Sequence, residues 1–213
     1  MKLEEYKTKS GEIILYAGQP DFDKLERLVL GAGDIWHSSF EQGYKNAFPE
    51  LVYQTAVFFW YLNDFEGLDQ CVSWRVNANA FAVRKTVWET LKGFDKEYEN
   101  SQMQALDFGY NAVRNSGAVS LYVKDLFEIN AVEKVEILAR DRYTFFIKNF
   151  KRDHALFMIY RQGFCKWKEW GAFLYAKNNF KKSIVKPIIK PRVLKEIEGN
   201  PKVSYIIPTM FRQ

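Results

Sequence analysis

Several side chains near the amino terminus follow apolar runs at spacings that could bind a metal ion or a sugar. In "ILYAGQPDFD", Asp21 and Asp23 form an Asp-x-Asp pair behind a predicted strand, and their carboxylates could hold a divalent cation. Pro20 favours the alternative, a surface turn. In "LGAGDIWHSSF", Asp34 and His37 could contact a sugar or share a proton. Purely structural roles for Asp34 and His37 stay equally open.

Composition sets limits on the elements that must position these residues. The chain has 213 residues, of which 47% are hydrophobic and 17% aromatic, so it can bury one substantial core or two small ones. Its longest apolar run, residues 55–62, is far shorter than the roughly 20 residues that a membrane-spanning helix needs. With a charged amino terminus and two cysteines, Cys71 and Cys165, the chain is predicted to be cytoplasmic.

Charge divides the chain into two halves. Residues 1–131 carry 13 basic and 19 acidic side chains, a net charge of −6, whereas residues 132–213 carry 18 basic and 7 acidic side chains, a net charge of +11. A basic surface attracts phosphates, acidic sugars, nucleic acid or anionic lipid headgroups. We therefore expect the two halves to have separate tasks.

The secondary-structure pattern changes at nearly the same place. In the first half, "EIILYAG", "NANAFAVRK" and "AVSLYV" are predicted strands, and "SSFEQGYKNAF", "TVWETLKG" and "SQMQALDFGYNAVRNSG" are predicted helices. Thr86 and Glu89 have the spacing of a capping box, and Gly93 is placed to end that helix. From residue 133 the apolar spacing is helical, with a break at Gly163. We predict an α/β module at 1–131, a basic helical region at 132–183 and a proline-containing linker at 184–202.

The order of elements across residues 77–123 is distinctive. The segment begins with a strand that carries a basic residue, followed by a short helix and a Gly-Phe-Asp turn. After the turn come a helix with an acidic residue and a glycine that precedes the next strand. The segment resembles the acceptor-side half of family-two glycosyltransferases and of the related galactosyltransferase carboxy-terminal segment. Gly93, Phe94, Asp95, Asp107 and Gly117 match that order. The resemblance implies a partial nucleotide-sugar transferase (GT-A-like) module.

The stretch "VSYIIPTMFR" in residues 203–213 is similar to the first strand and nucleotide loop that open the catalytic domain in the same family. This similarity implies the start of a following glycosyltransferase domain, with Thr209 and Arg212 as nucleotide-binding residues. The alternative is that this strand completes the sheet of the first module, for which no opening strand is recognisable near Met1.

The family resemblance also implies roles for particular residues. An inverting sugar transfer needs a carboxylate that takes the proton of the acceptor hydroxyl, and Asp107 is the best candidate for that base. The resemblance implies Mn²⁺ or Mg²⁺ as a possible cofactor, held by Asp21 and Asp23, and a nucleotide-sugar as the donor. Candidate residues for binding the acceptor are Asp34, His37, Trp74, Arg84 and Asp95.

One departure from the family pattern affects this assignment. The family's base lies in a Glu-Asp pair at the start of the helix after the Gly-Phe-Asp turn. If Asp107 matches the second acid that follows this pair, Gln104 and Ala105 occupy the positions of the pair. Neither side chain can accept the proton. Asp107 is therefore either the base itself or an exposed, structural acid that shares a helix face with Arg114.

These observations predict a glycosyltransferase-related protein that transfers sugar to a glycan or lipid-linked acceptor in polysaccharide synthesis. The alternative is a non-catalytic acceptor-binding or scaffolding module that docks on an anionic membrane surface through its basic helices. Lysines interleaved with aromatic residues between 148 and 182 support a surface contact. No recognisable motif supports nucleic-acid binding.

Overall fold

The computed structural model describes residues 3–38, 68–128, 137–182, 187–190 and 192. The strands in these ranges are β1 (Glu4–Lys7), β2 (Ile13–Ala17), β3 (Ile35–His37), β4 (Gln70–Val72), β5 (Phe81–Arg84) and β6 (Ser120–Val123). The helices are α1 (Phe22–Val29), α2 (Lys85–Leu91), α3 (Ser101–Asn115), α4 (Ala139–Asn149), α5 (Arg152–Gln162) and α6 (Trp167–Asn179). The predicted α/β class is confirmed. The helix predicted in "SSFEQGYKNAF", most of the predicted linker and residues 203–213 lie outside the described residues.

The strands form one mixed sheet in the order β1-β2-β5-β3-β6-β4. Strands β3 and β6 pair in parallel, and every other neighbouring pair is antiparallel. It follows that β2, β3 and β6 run in the same direction and end at the same side of the sheet, which we call the carboxyl edge. Ligands of open α/β sheets commonly bind outside the carboxyl ends of such strands.

The chain opens with an edge strand, β1, at Glu4–Lys7, where the sequence pattern indicates no strand. Strand β1 pairs with β2 along its whole length, with Tyr6 opposite Ile14. Its sequence, Glu-Glu-Tyr-Lys, gives no apolar alternation because β1 is an edge strand whose side chains are exposed or half-buried.

Alternating side chains along the strands separate two apolar cores on opposite faces of the sheet. On one face, Ile14 of β2 packs in a cluster with Leu25 and Val29 of α1. On the other, Leu15 and Val83 of neighbouring strands join a cluster with residues of α2 and α3. This period of two is what the apolar runs in "EIILYAG" and "NANAFAVRK" predict.

The ends of α2 and α3 depart in part from the sequence expectation. Helix α2 begins at Lys85 without a side-chain cap, so the predicted capping box is wrong, whereas its end is marked as expected by Lys92 and Gly93 at φ 62° and 63°. Helix α3 begins after Asn100, whose side chain accepts hydrogen bonds from the backbone N–H groups of Gln102 and Met103.

The helical region packs directly on the α/β module. An aromatic cluster joins Trp74 and Tyr110 to Phe145 and Phe150, with Trp74 stacked on Phe145 at 6.3 Å between ring centroids. The Asp141 carboxylate of α4 accepts hydrogen bonds from the backbone N–H groups of residues 99 and 100, at 2.9 and 2.8 Å. None of the helices in the described ranges combines the length and hydropathy needed to cross a bilayer.

Candidate functional site

A cleft of about 980 Å³ opens at the carboxyl edge of the sheet. The loops that follow β2 and β6 form its walls, and they are joined where the Asp21 N–H donates to the Leu126 carbonyl at 2.8 Å. Its lining combines carboxylates with aromatic rings: Glu4, Asp21, Asp125, Glu128, Tyr16, Phe22 and Phe127. We call it the acidic cleft.

Asp21 and Asp23, the predicted metal pair, lie at the start of α1 beside this cleft. The Asp21 carboxylate caps the helix by accepting a hydrogen bond from the Lys24 N–H at 2.9 Å, and Asp23 lies in the first turn. Among the described residues, no group of three or more His, Cys, Asp or Glu side chains is arranged to hold a metal ion. Helix capping accounts for the Asp21 carboxylate.

Arg84 and Asp34 belong to a buried polar cluster beneath the loop between α1 and β3. The Arg84 guanidinium donates to the carbonyls of Gly33 and Val29, each at 2.8 Å, and forms an ion pair with Glu12. Asp34 accepts a hydrogen bond from the Val119 N–H at 2.9 Å and lies 3.8 Å from Arg84 Nε. Burial raises the pKa of Asp34. These contacts give Arg84 and Asp34 a structural role.

His37 ends β3 and is completely buried. Its Nε2 lies 3.2 Å from the Ser73 carbonyl oxygen, which can only accept, so the proton is on Nε2. Burial lowers the pKa of His37 to about 3, which keeps the imidazole neutral at physiological pH. Its Nδ1 has no hydrogen-bond partner within the described residues. A completely buried imidazole has no surface with which to contact a sugar.

Asp107, the predicted base, lies in the middle of α3 and is 4% exposed, so the expectation that its side chain is exposed is wrong. Its Oδ1 accepts hydrogen bonds from the Tyr98 hydroxyl at 2.9 Å and from Asn149 Nδ2 at 2.6 Å. Of the two residues at the positions expected for an acid pair, Gln104 donates to the Tyr98 carbonyl and Ala105 is buried. Asp107 therefore links α3, α4 and the segment before α3.

The other predicted site residues are dispersed. Trp74 is 2% exposed and packs in the aromatic cluster, and Trp36 is also buried. Asp95 forms an ion pair with Lys148 of α4, which holds the Gly-Phe-Asp turn against the helical region. The proposed nucleotide-binding residues Thr209 and Arg212 lie outside the described residues.

A second cleft, of about 450 Å³, lies between α3, the junction of α4 and α5, and the residues after α6. We call it the basic cleft; it is lined by Tyr110, Arg114, Asn115, Lys148, Asn149, Phe150, Lys151, His154 and Lys182. The sequence pattern assigns Lys148, Lys151 and Lys182 only to a basic half. Their meeting with Arg114 of the acidic half depends on how α3 packs against the helical region.

The chain matches no protein-family model, no curated protein and no solved structure.

Proposed function

We propose that the chain is a glycosyltransferase-related module that binds a glycan acceptor and does not itself transfer the sugar. The observation that carries this proposal is the environment of Asp107. A general base needs a lone pair that the acceptor hydroxyl can reach. Asp107 is 4% exposed, and its Oδ1 already accepts hydrogen bonds from Tyr98 and Asn149.

The acidic cleft supplies the chemistry for holding an acceptor. Sugar hydroxyls donate hydrogen bonds to carboxylates such as Asp125 and Glu128, and the apolar faces of sugar rings pack on aromatic side chains such as Phe22, which is 37% exposed. Carboxylates repel the phosphates of a nucleotide-sugar. The cleft therefore favours a neutral or amino-sugar glycan, and transfer falls to a glycosyltransferase domain that supplies the donor site.

Glycan-array screening followed by calorimetric titration tests this proposal. Asp125→Asn removes one cleft charge and suits the backbone, since residue 125 has a φ of 53° that asparagine tolerates; Glu128→Gln removes another. We expect each to weaken glycan binding about fivefold, the loss of roughly one hydrogen bond to a charged group at a partly exposed site. Glu97→Gln, outside the cleft, is the matched control.

Sugar transfer by the chain itself would identify a transferase. Melting temperatures and turnover are measured with UDP- and GDP-sugars, with and without Mn²⁺. We expect no sugar transfer and no metal-dependent stabilisation from the acidic cleft. Manganese-dependent transfer that disappears in Asp107→Asn, while the fold stays intact, would refute the non-catalytic role and make Asp107 the base.

A second candidate role is docking on an anionic membrane surface, which suits a lipid-linked acceptor. Tyr160, Phe164 and Trp167, at the junction of α5 and α6, are 70%, 63% and 87% exposed, and Lys166 and Lys168 are exposed beside them. Exposed aromatics flanked by lysines are typical of interfacial anchors. Sedimentation with phosphatidylserine-containing vesicles tests this role, and absence of binding at low salt would exclude it.

A further inference from the structure

The basic cleft contains positive charge from separate parts of the chain. Arg114 comes from the last turn of α3, Lys151 precedes the first residue of α5, and Lys182 follows α6. All three side chains belong to exposed residues, and none of the described residues that line the cleft carries a carboxylate. The fold thus gathers three cationic groups around one concave surface.

Lys148 lines this cleft but contributes little net positive charge to it. Its ammonium donates to the carboxylates of Asp95 and Glu97, which compensate its charge. Although burial lowers the pKa of Lys148, these hydrogen bonds outweigh it and the pKa is raised. A ligand in the cleft would therefore meet Lys151 and Lys182 as the main cationic groups, and Arg114 lines the same cleft.

The remaining lining supplies donors to an anion. Helix α5 begins at this wall, since Lys151 and His154 both line the cleft, and the positive end of its dipole, which favours a negative charge, is shared there with the Asp153 carboxylate of its own first turn. Asn115 also lines the cleft; its Nδ2 donates one hydrogen bond to Asn111 Oδ1 at 2.8 Å, which leaves its second N–H as a donor. Tyr110 and Phe150 are buried and form an aromatic floor. Burial raises the pKa of Tyr110 to about 12, so its hydroxyl stays protonated.

We propose that the basic cleft binds a diphosphate group. Such a group is carried both by nucleoside diphosphates and by diphosphate-linked isoprenoid lipids, and a volume of about 450 Å³ accommodates the group with part of its substituent. Lysine and arginine are the usual partners of phosphate oxygens. This proposal is independent of glycan binding in the acidic cleft, because the described residues that line the two clefts are all different.

Calorimetric titration of the full 213-residue chain with pyrophosphate, in EDTA and at low salt, tests the proposal. UDP and geranyl diphosphate are titrated in parallel, and the tighter of the two identifies the source of the diphosphate. We expect Lys151→Gln and Lys182→Gln each to weaken pyrophosphate binding at least about fivefold, the loss of one charge-assisted hydrogen bond at an exposed site. EDTA removes divalent cations, so binding in its presence does not depend on a bound metal ion.

Lys177→Gln is the matched control, since Lys177 is an exposed lysine of α6 outside the cleft. We expect it to leave the pyrophosphate affinity unchanged within about twofold. Absence of binding by all three ligands would overturn the proposal. So would an equal loss of affinity in Lys177→Gln and the two cleft variants, because that result would mean attraction by net charge alone.

Discussion

Replacing Asp107 with asparagine separates a structural role from a catalytic one. The hydrogen bonds that Asp107 accepts from Tyr98 and from Asn149 both come from buried or half-buried donors. A hydrogen bond to a charged group contributes about 1.5–3 kcal/mol. The asparagine oxygen still accepts, but a neutral acceptor gives about half that strength. The two bonds together therefore lose roughly 1.5–3 kcal/mol of unfolding free energy.

Urea denaturation followed by tryptophan fluorescence measures this loss. For a chain of this size, a loss of 1 kcal/mol in unfolding free energy lowers the melting temperature by about 2–4 °C. We therefore expect thermal unfolding of Asp107→Asn to occur roughly 3–12 °C lower. Tyr98→Phe removes one donor, and a double-mutant cycle with Asp107→Asn should give a coupling energy of at least about 0.7 kcal/mol. Asp69→Asn, whose side chain is 95% exposed, is the control. Unchanged stability in Asp107→Asn would refute the structural reasoning.

Three further predictions concern other buried positions. The pKa of His37 is about 3 in the folded chain against 6.5 ordinarily, so the unfolded state binds more protons between these values and stability falls below about pH 6.5. His37→Gln should flatten the melting temperature measured from pH 7.5 to 5, and an unchanged slope would contradict this. Gly109→Ala should cost at least about 3 kcal/mol in urea denaturation, because its Cβ would lie 2.1 Å from the Trp74 carbonyl oxygen. Gly117→Ala, at φ 73° in open space, should cost only about 1 kcal/mol; equal losses would refute the steric argument. Arg84→Lys should lower the unfolding free energy by about 3 kcal/mol, since one ammonium cannot reproduce the guanidinium's contacts, and near-native stability would contradict that role.

The sequence predicted the fold best where local pattern and tertiary burial agree. Strands β2, β5 and β6 and helices α2 and α3 were predicted because apolar periodicity and glycine stops are local signals. Strand β1 was missed because an exposed edge strand needs no such pattern. The capping box between Thr86 and Glu89 failed because the chain enters α2 directly from β5, with Arg84 as the cap residue.

The candidate sites depended on contacts that no local pattern encodes. Asp107 was expected to be exposed, but Asn149, which follows it by 42 residues, covers it together with Tyr98. The sequence favours Arg84 as a ligand-binding cation, because the carbonyls to which it donates hydrogen bonds lie more than 50 residues earlier in the chain and no local pattern indicates them. The acidic cleft likewise joins residues near the amino terminus to residues 125–128.

The aromatic cluster shared by the α/β module and the helical region has a consequence for synthesis on the ribosome. Tyr110 of α3 packs against Phe150, which follows α4, at 5.4 Å between ring centroids. At the usual elongation rate of about 5–20 residues per second, Phe150 is synthesised roughly 2–8 seconds after Tyr110. During this interval the Tyr110 side chain has not yet been covered by Phe150 on the nascent chain. We therefore expect chaperone dependence to increase when translation pauses between these two residues.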